Sequence, residues 1–168
     1  MSVVENFIKK STMAILPACY EMYRTVILDQ SGEKIYSYKS TKEILEEACI
    51  AYGADYDGRI KAVRYALKYN RKTPLMICPL EIIYAFPTMS PDNFDCIWLF
   101  NRHIDSFFKD NGQSYVHFKN GEKIAVNCSL DVLTRQRQRT AVTMMHFSQP
   151  PFVTITVNAR GKEAFTKE

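Results

Sequence analysis

The chain has 168 residues, 46% of them hydrophobic and 24% charged, with a formal net charge of +4. Such a length and balance fit one globular domain and exclude wholesale disorder or a fibrous repeat. No apolar run approaches the roughly 20 residues that span a bilayer, and the amino terminus shows no secretory signal, so the expectation is a cytoplasmic protein without a membrane partner.

Thr12 to Tyr20, Tyr23 to Asp29 and Lys34 to Lys39 are short runs rich in β-branched, aliphatic and aromatic residues, with Gln30-Ser31-Gly32 as a turn, and predict an antiparallel meander. Ser40 followed by Glu43 is a capping box, and Ile44, Leu45, Ala48 and Cys49 recur at helical spacing, so a helix is expected over about Thr41 to Tyr52. Gly53 suits its left-handed end; Gly58 is read as a second permissive backbone position, closing a shaped loop with Asp55, Tyr56 and Asp57. From Ile60 to Tyr69 two periods compete. Val63, Tyr65, Leu67 and Tyr69 alternate as in a strand, whereas Ile60, Val63 and Leu67 share a helical face; the preferred reading is a strand after about Ala62.

Leu75 to Cys78 and Ile82 to Phe86, bounded by Pro74, Pro79 and Pro87, read as two further strands. Asn111-Gly112 and Asn120-Gly121 are type I′ turn signals, predicting a meander of Ile97 to Phe108, Ser114 to Lys119 and Lys123 to Cys128. Ser129 caps a second helix with Leu130, Leu133, Ala141 and Met144 on one face, Pro150-Pro151 ends regular structure, and Phe152 to Asn158 alternates like a strand. The expected fold is α+β, mostly antiparallel β with two short to medium helices in a single domain. Residues 1–150 form its body, and residues 151–168 a tail or edge strand whose terminal position disfavours full order.

Catalytic chemistry finds little footing. Cys19, Cys49, Cys78, Cys96 and Cys128 are scattered singly, without zinc-type pairs, and read as reduced, mostly buried thiols. His103, His117 and His146 lie in no nucleophile–base signature, and the six glycines form no phosphate-binding loop, so no cofactor, no metal and no enzyme are expected.

Charge is segregated. From Gly58 through Leu80 there are six cations, Arg59, Lys61, Arg64, Lys68, Arg71 and Lys72, and no acid; a second acid-free stretch, Val132 to Lys162, holds Arg135, Arg137, Arg139 and Arg160. Such stretches are candidate contacts for phosphates or for a narrow, electronegative minor groove, although most charge runs are solvated surface.

What tips the balance is an ordered set between Ala48 and Ile104: Cys49, Tyr52-Gly53, Tyr56, Gly58-Arg59, Lys72 to Pro74, Pro79, Phe86-Pro87-Thr88, Ser90, Trp98 and His103-Ile104. This set resembles the ComK-like competence transcription factors. The resemblance implies an activator of competence (DNA-uptake) genes that binds AT-rich double-stranded promoter boxes largely through the minor groove, acts as a homo-oligomer and is controlled by a proteolytic adaptor. It casts Tyr52, Gly53, Gly58, Phe86, Pro87 and Trp98 as scaffold and leaves DNA contact to the cations. The chain departs from the family pattern at Gly58-Arg59-Ile60-Lys61 and Lys72-Thr73-Pro74. It shows no Phe-Met-Leu-Tyr-Pro-like stretch of the kind associated with the adaptor, which motivates an alternative as a non-activating regulatory or protein-interaction module.

Overall fold

A computed structural model describes residues 6–148, 153–157 and 163–167. The amino-terminal meander forms as β1 (Thr12–Pro17), β2 (Thr25–Asp29) and β3 (Lys34–Ser37). It joins β4 (Leu75–Cys78), β5 (Ile83–Pro87) and β6 (Trp98–Phe100) in a six-stranded antiparallel sheet of order β3-β2-β1-β6-β5-β4. The β1–β6 seam, with Ala14 opposite Leu99 and Ile15 opposite Trp98, unites the two halves of the chain. Both faces of this sheet are covered, which is why β4, β5 and β6 are buried at every residue and read as unbroken apolar runs.

The expected strand from Ile97 to Phe108 is interrupted. A one-turn 3-10 helix at Asn101–His103 ends β6 and hands the chain to a second sheet, β7 (Ile104–Asp110), β8 (Gln113–Phe118) and β9 (Lys123–Val126). Asn111 and Gly112 both take positive φ, 47° and 80°, as a type I′ turn requires. The second signal resolves differently. There Gly121 N–H donates to the Phe118 carbonyl at 3.0 Å, and only Gly121 has positive φ (93°). Asn120 keeps ordinary backbone angles because its side chain is occupied: its amide donates to the Gln30 carbonyl at 3.1 Å and its oxygen accepts from Glu122 N–H at 3.0 Å.

Three layers result. Helices α1 (Thr41–Ala51) and α2 (Tyr56–Leu67) cover one face of the six-stranded sheet, over a core containing Ile15, Ile27, Leu45, Ile77, Trp98 and Phe100. The three-stranded sheet and α3 (Leu130–Phe147) cover the other, over Met13, Phe86, Leu99, Val116, Phe118 and Leu133. A smaller cluster of Val63, Met76 and Tyr84, with Leu67, Tyr69, Met144 and Phe147 against it, ties α2 to α3 around the β4–β5 edge.

The strand reading of Ala62 to Tyr69 is overturned: the segment is α2, so the fold has three α-helices among the described residues. Asp55 is its N-cap, accepting from Gly58 N–H at 2.9 Å, and Tyr56, Ile60, Val63 and Leu67 turn inward at helical spacing. Tyr65, which the alternation would bury, is 81% exposed. The loop expected at Asp55 to Gly58 is therefore a helix start. Gly53 keeps its predicted role, at φ 80° just beyond the α1 C-cap Tyr52, whereas Gly58 sits in the first turn of α2 without positive φ. A Cβ on Gly58 would meet nothing closer than Asp55 Oδ2 at 3.5 Å. Gly58→Ala should accordingly stabilise the fold by about 0.5–1 kcal/mol in urea unfolding, and Gly53→Ala should destabilise it by about 1–2 kcal/mol.

The buried face of α3 is Leu133, Gln136, Thr140 and Thr143, and the expected face partner Ala141 is exposed. Polar residues tolerate this burial because each is satisfied: Thr140 and Thr143 hydroxyls donate to carbonyls one turn back, at 2.7 Å each, and the Gln136 amide donates to Lys72 and Pro87 carbonyls at 2.9 and 2.8 Å. His103, 7% exposed, likewise donates from Nε2 to the Lys10 carbonyl at 2.6 Å. Burial holds its pKa below the ordinary histidine value. Because the folded pKa is depressed, the stability it carries is complete above pH ~6.5 and is lost as the pH falls through the lowered value. Acid titration of unfolding should show this loss, and His103→Gln should flatten it.

In the carboxyl-terminal stretch, β10 (Val153–Val157) and β11 (Glu163–Lys167) pair antiparallel as their own two-stranded sheet. Pro150-Pro151, the ends of the Phe152 to Asn158 run, and Arg160 lie outside the described residues. No helix among the described residues is long and apolar enough to cross a membrane.

Candidate nucleic-acid interface

As a helix, the basic stretch sorts its cations onto two flanks. Lys61, Arg64, Tyr65 and Lys68 are exposed together, at spacings of three, four and seven residues, and form one solvent-facing stripe of α2. Lys68 Nζ lies 4.9 Å from the Tyr65 ring centroid. Arg59 leaves the stripe for the opposite flank: its Nε is buried without a hydrogen-bond partner, and its charge opposes the burial that pushes the Cys49 thiol up to about 11.

Lys68 ends α2 in a left-handed conformation (φ 60°), and Lys72 is left-handed as well (φ 49°). The loop between them is held from below. Arg139 donates to the Arg71 carbonyl at 2.9 Å and the Lys72 carbonyl at 3.3 Å, with its guanidinium 4.2 Å from the Tyr69 ring centroid. Arg64 Nε donates to Thr73 Oγ1 at 2.9 Å. These bonds bring the two acid-free stretches together, with α3 supporting the turn that carries Arg71 and Lys72.

The three arginines of α3 thus have different surroundings. Arg139 clamps the loop, and burial is the main cause that lowers its pKa, with the nearby Arg135 charge a smaller contribution. Arg137 points the other way, donating to the Ile104 and Asp105 carbonyls at 3.1 Å each, 5.8 Å from the Phe107 ring centroid. Arg135 is exposed one turn before Arg139, near enough for its charge to act on that guanidinium.

Two participants escape the sequence reading. Tyr65 joins the stripe only when the helical period is adopted. Lys42, in the first turn of α1, lies across a cavity of about 590 Å³ from Arg64, Arg71 and Lys72, with Trp98 in its wall. The scaffold residues behave as packing: Phe86 and Trp98 are buried, and the Pro87 carbonyl receives Gln136. All five cysteines are free thiols, with Cys19 exposed, Cys128 half-buried and the other three buried, and no group of metal-binding side chains occurs among the described residues.

No solved structure matches this chain. The competence transcription factor of Bacillus subtilis (strain 168) is 28% identical over 135 residues, covering 78% of this chain and 69% of that protein. The sequence model of the ComK protein family matches residues 4–150, which takes in the six-stranded and three-stranded sheets, the three α-helices and every cation of the surface just described, and the chain therefore belongs to the ComK family.

Proposed function

We propose that the chain is a DNA-binding transcription activator of competence genes, acting in the cytoplasm as a homo-oligomer on AT-rich promoter boxes. The observation that carries this reading is the exposed stripe of Lys61, Arg64 and Lys68 on α2, which begins at Asp57 and leads to Arg71 across a shared cavity wall, with Arg135 exposed on α3. Cations on a rigid helix neutralise phosphates and release counterions, which supplies affinity without sequence information. Arginine entering a narrow A-tract minor groove supplies the preference for AT-rich sites. Membership in the ComK family and similarity to a competence transcription factor support the same reading.

Fluorescence anisotropy with an AT-rich duplex, a GC-rich competitor and two salt concentrations tests it. Binding should be tighter to the AT-rich duplex and fall steeply with salt; no binding at low salt would overturn the reading.

A further inference from the structure

The 590 Å³ cavity between α1, α2, the 70–73 loop and the 90–92 loop lies within the size range of small-molecule sites. Its wall is divided. Lys42, Arg64, Arg71 and Lys72 contribute cations, while the half-buried side chains of Tyr56 and Ile60 contribute apolar surface, with the buried Trp98 also in the wall. Among the described residues no carboxylate lies within 4.0 Å of the charged groups of Arg64, Arg71 or Lys72, and Lys42 meets only Glu46, at 3.9 Å. Two acids, Asp57 and Asp92, also line the cavity and leave an excess of two positive charges. The first turn of α1 lies in the same wall, and its dipole adds to the positive potential.

A duplex backbone requires none of the aromatic surface, and a purely apolar ligand none of the cations. A nucleoside monophosphate uses both: the phosphate takes the arginines in charge-assisted hydrogen bonds, and the base lies against the half-buried Tyr56 ring. We propose that this cavity is a binding site for a nucleoside monophosphate, through which a small molecule reaches the turn bearing Arg71 and Lys72. The site stands independently of the DNA-binding reading, although Arg64 and Arg71 would serve both.

Trp98 is the chain's single tryptophan and reports directly on the site. The full chain is titrated with AMP, adenosine and inorganic phosphate, read by tryptophan fluorescence and by calorimetry. AMP should bind saturably and at least about tenfold more tightly than either fragment, since each engages half of the wall. Arg71→Ala should weaken AMP about tenfold while leaving thermal unfolding unchanged, because the loop is held through the Arg71 carbonyl rather than its side chain. Absence of saturable binding by both readouts, binding no tighter than phosphate alone, or an unaltered AMP affinity in Arg71→Ala would each overturn the proposal. DNA affinity measured without nucleotide is unaffected by these outcomes and tests the other reading separately.

Discussion

Arg139→Ala is expected to lower the unfolding free energy by about 2–4 kcal/mol, the largest stability effect among the basic residues. The guanidinium satisfies two carbonyls, of Arg71 and Lys72, and stacks 4.2 Å from the centroid of Tyr69. Hydrogen bonds from a charged donor contribute roughly 1.5–3 kcal/mol each before discounting for exposure, and a cation–π contact about 0.5–2 kcal/mol. The loop needs this support because it holds two left-handed lysines, Lys68 and Lys72, where a side chain costs about 1–2 kcal/mol each. Arg139→Lys restores charge but not the planar fork and should recover less than half of the loss. Urea unfolding checks the magnitude, and amide exchange in residues 68–73 checks the location. A change below ~0.5 kcal/mol would mean that Gln136, which also donates to the Lys72 carbonyl, holds the loop alone. The same variant should weaken DNA binding without changing its salt dependence, since this guanidinium is spent on carbonyls.

The elements legible in the sequence are those whose local chemistry and burial agree. The Ser40–Glu43 capping box, the Asn111-Gly112 turn and the prolines around β4 and β5 each act through neighbouring residues, and the fold places them as read. The α2 segment is ambiguous in sequence because Val63 and Leu67 satisfy both periods at once; the deciding feature, Asp55 as an N-cap, lies between two glycines, Gly53 and Gly58, that read equally well as loop positions. The buried face of α3 escapes apolar periodicity because Gln136, Thr140 and Thr143 are polar, and their partners lie on distant segments or on the helix's own carbonyls. For the cations, the sequence shows where charge is concentrated but not which heads are spent internally. Arg137 and Arg139 sit two residues apart and face opposite ways, one to β7 carbonyls and one to the 71–72 turn. Only long-range packing separates them from the exposed Arg135.

That separation defines the second large effect. Replacing Lys61, Lys68 and Arg135 together by alanine should reduce the slope of log affinity against log salt by about two to three, because each lost phosphate contact releases roughly one counterion fewer. Arg64→Ala should lower the slope by about one and also cost stability through Thr73. Arg59→Ala and Arg137→Ala should leave it unchanged, Arg59 lying on the other flank of α2 and Arg137 being engaged with β7. Stability and binding can be pulled apart most cleanly at Lys68, where φ is 60°. Lys68→Gly removes the cation and relieves the left-handed backbone, so the chain should become about 1 kcal/mol more stable while its salt slope falls by about one. A variant that gains stability and loses salt-dependent affinity has lost a contact rather than a fold. If instead the slope of Lys68→Gly and of the triple variant matched that of the unaltered chain, the stripe on α2 would be solvated surface and the phosphate contacts would lie on another face.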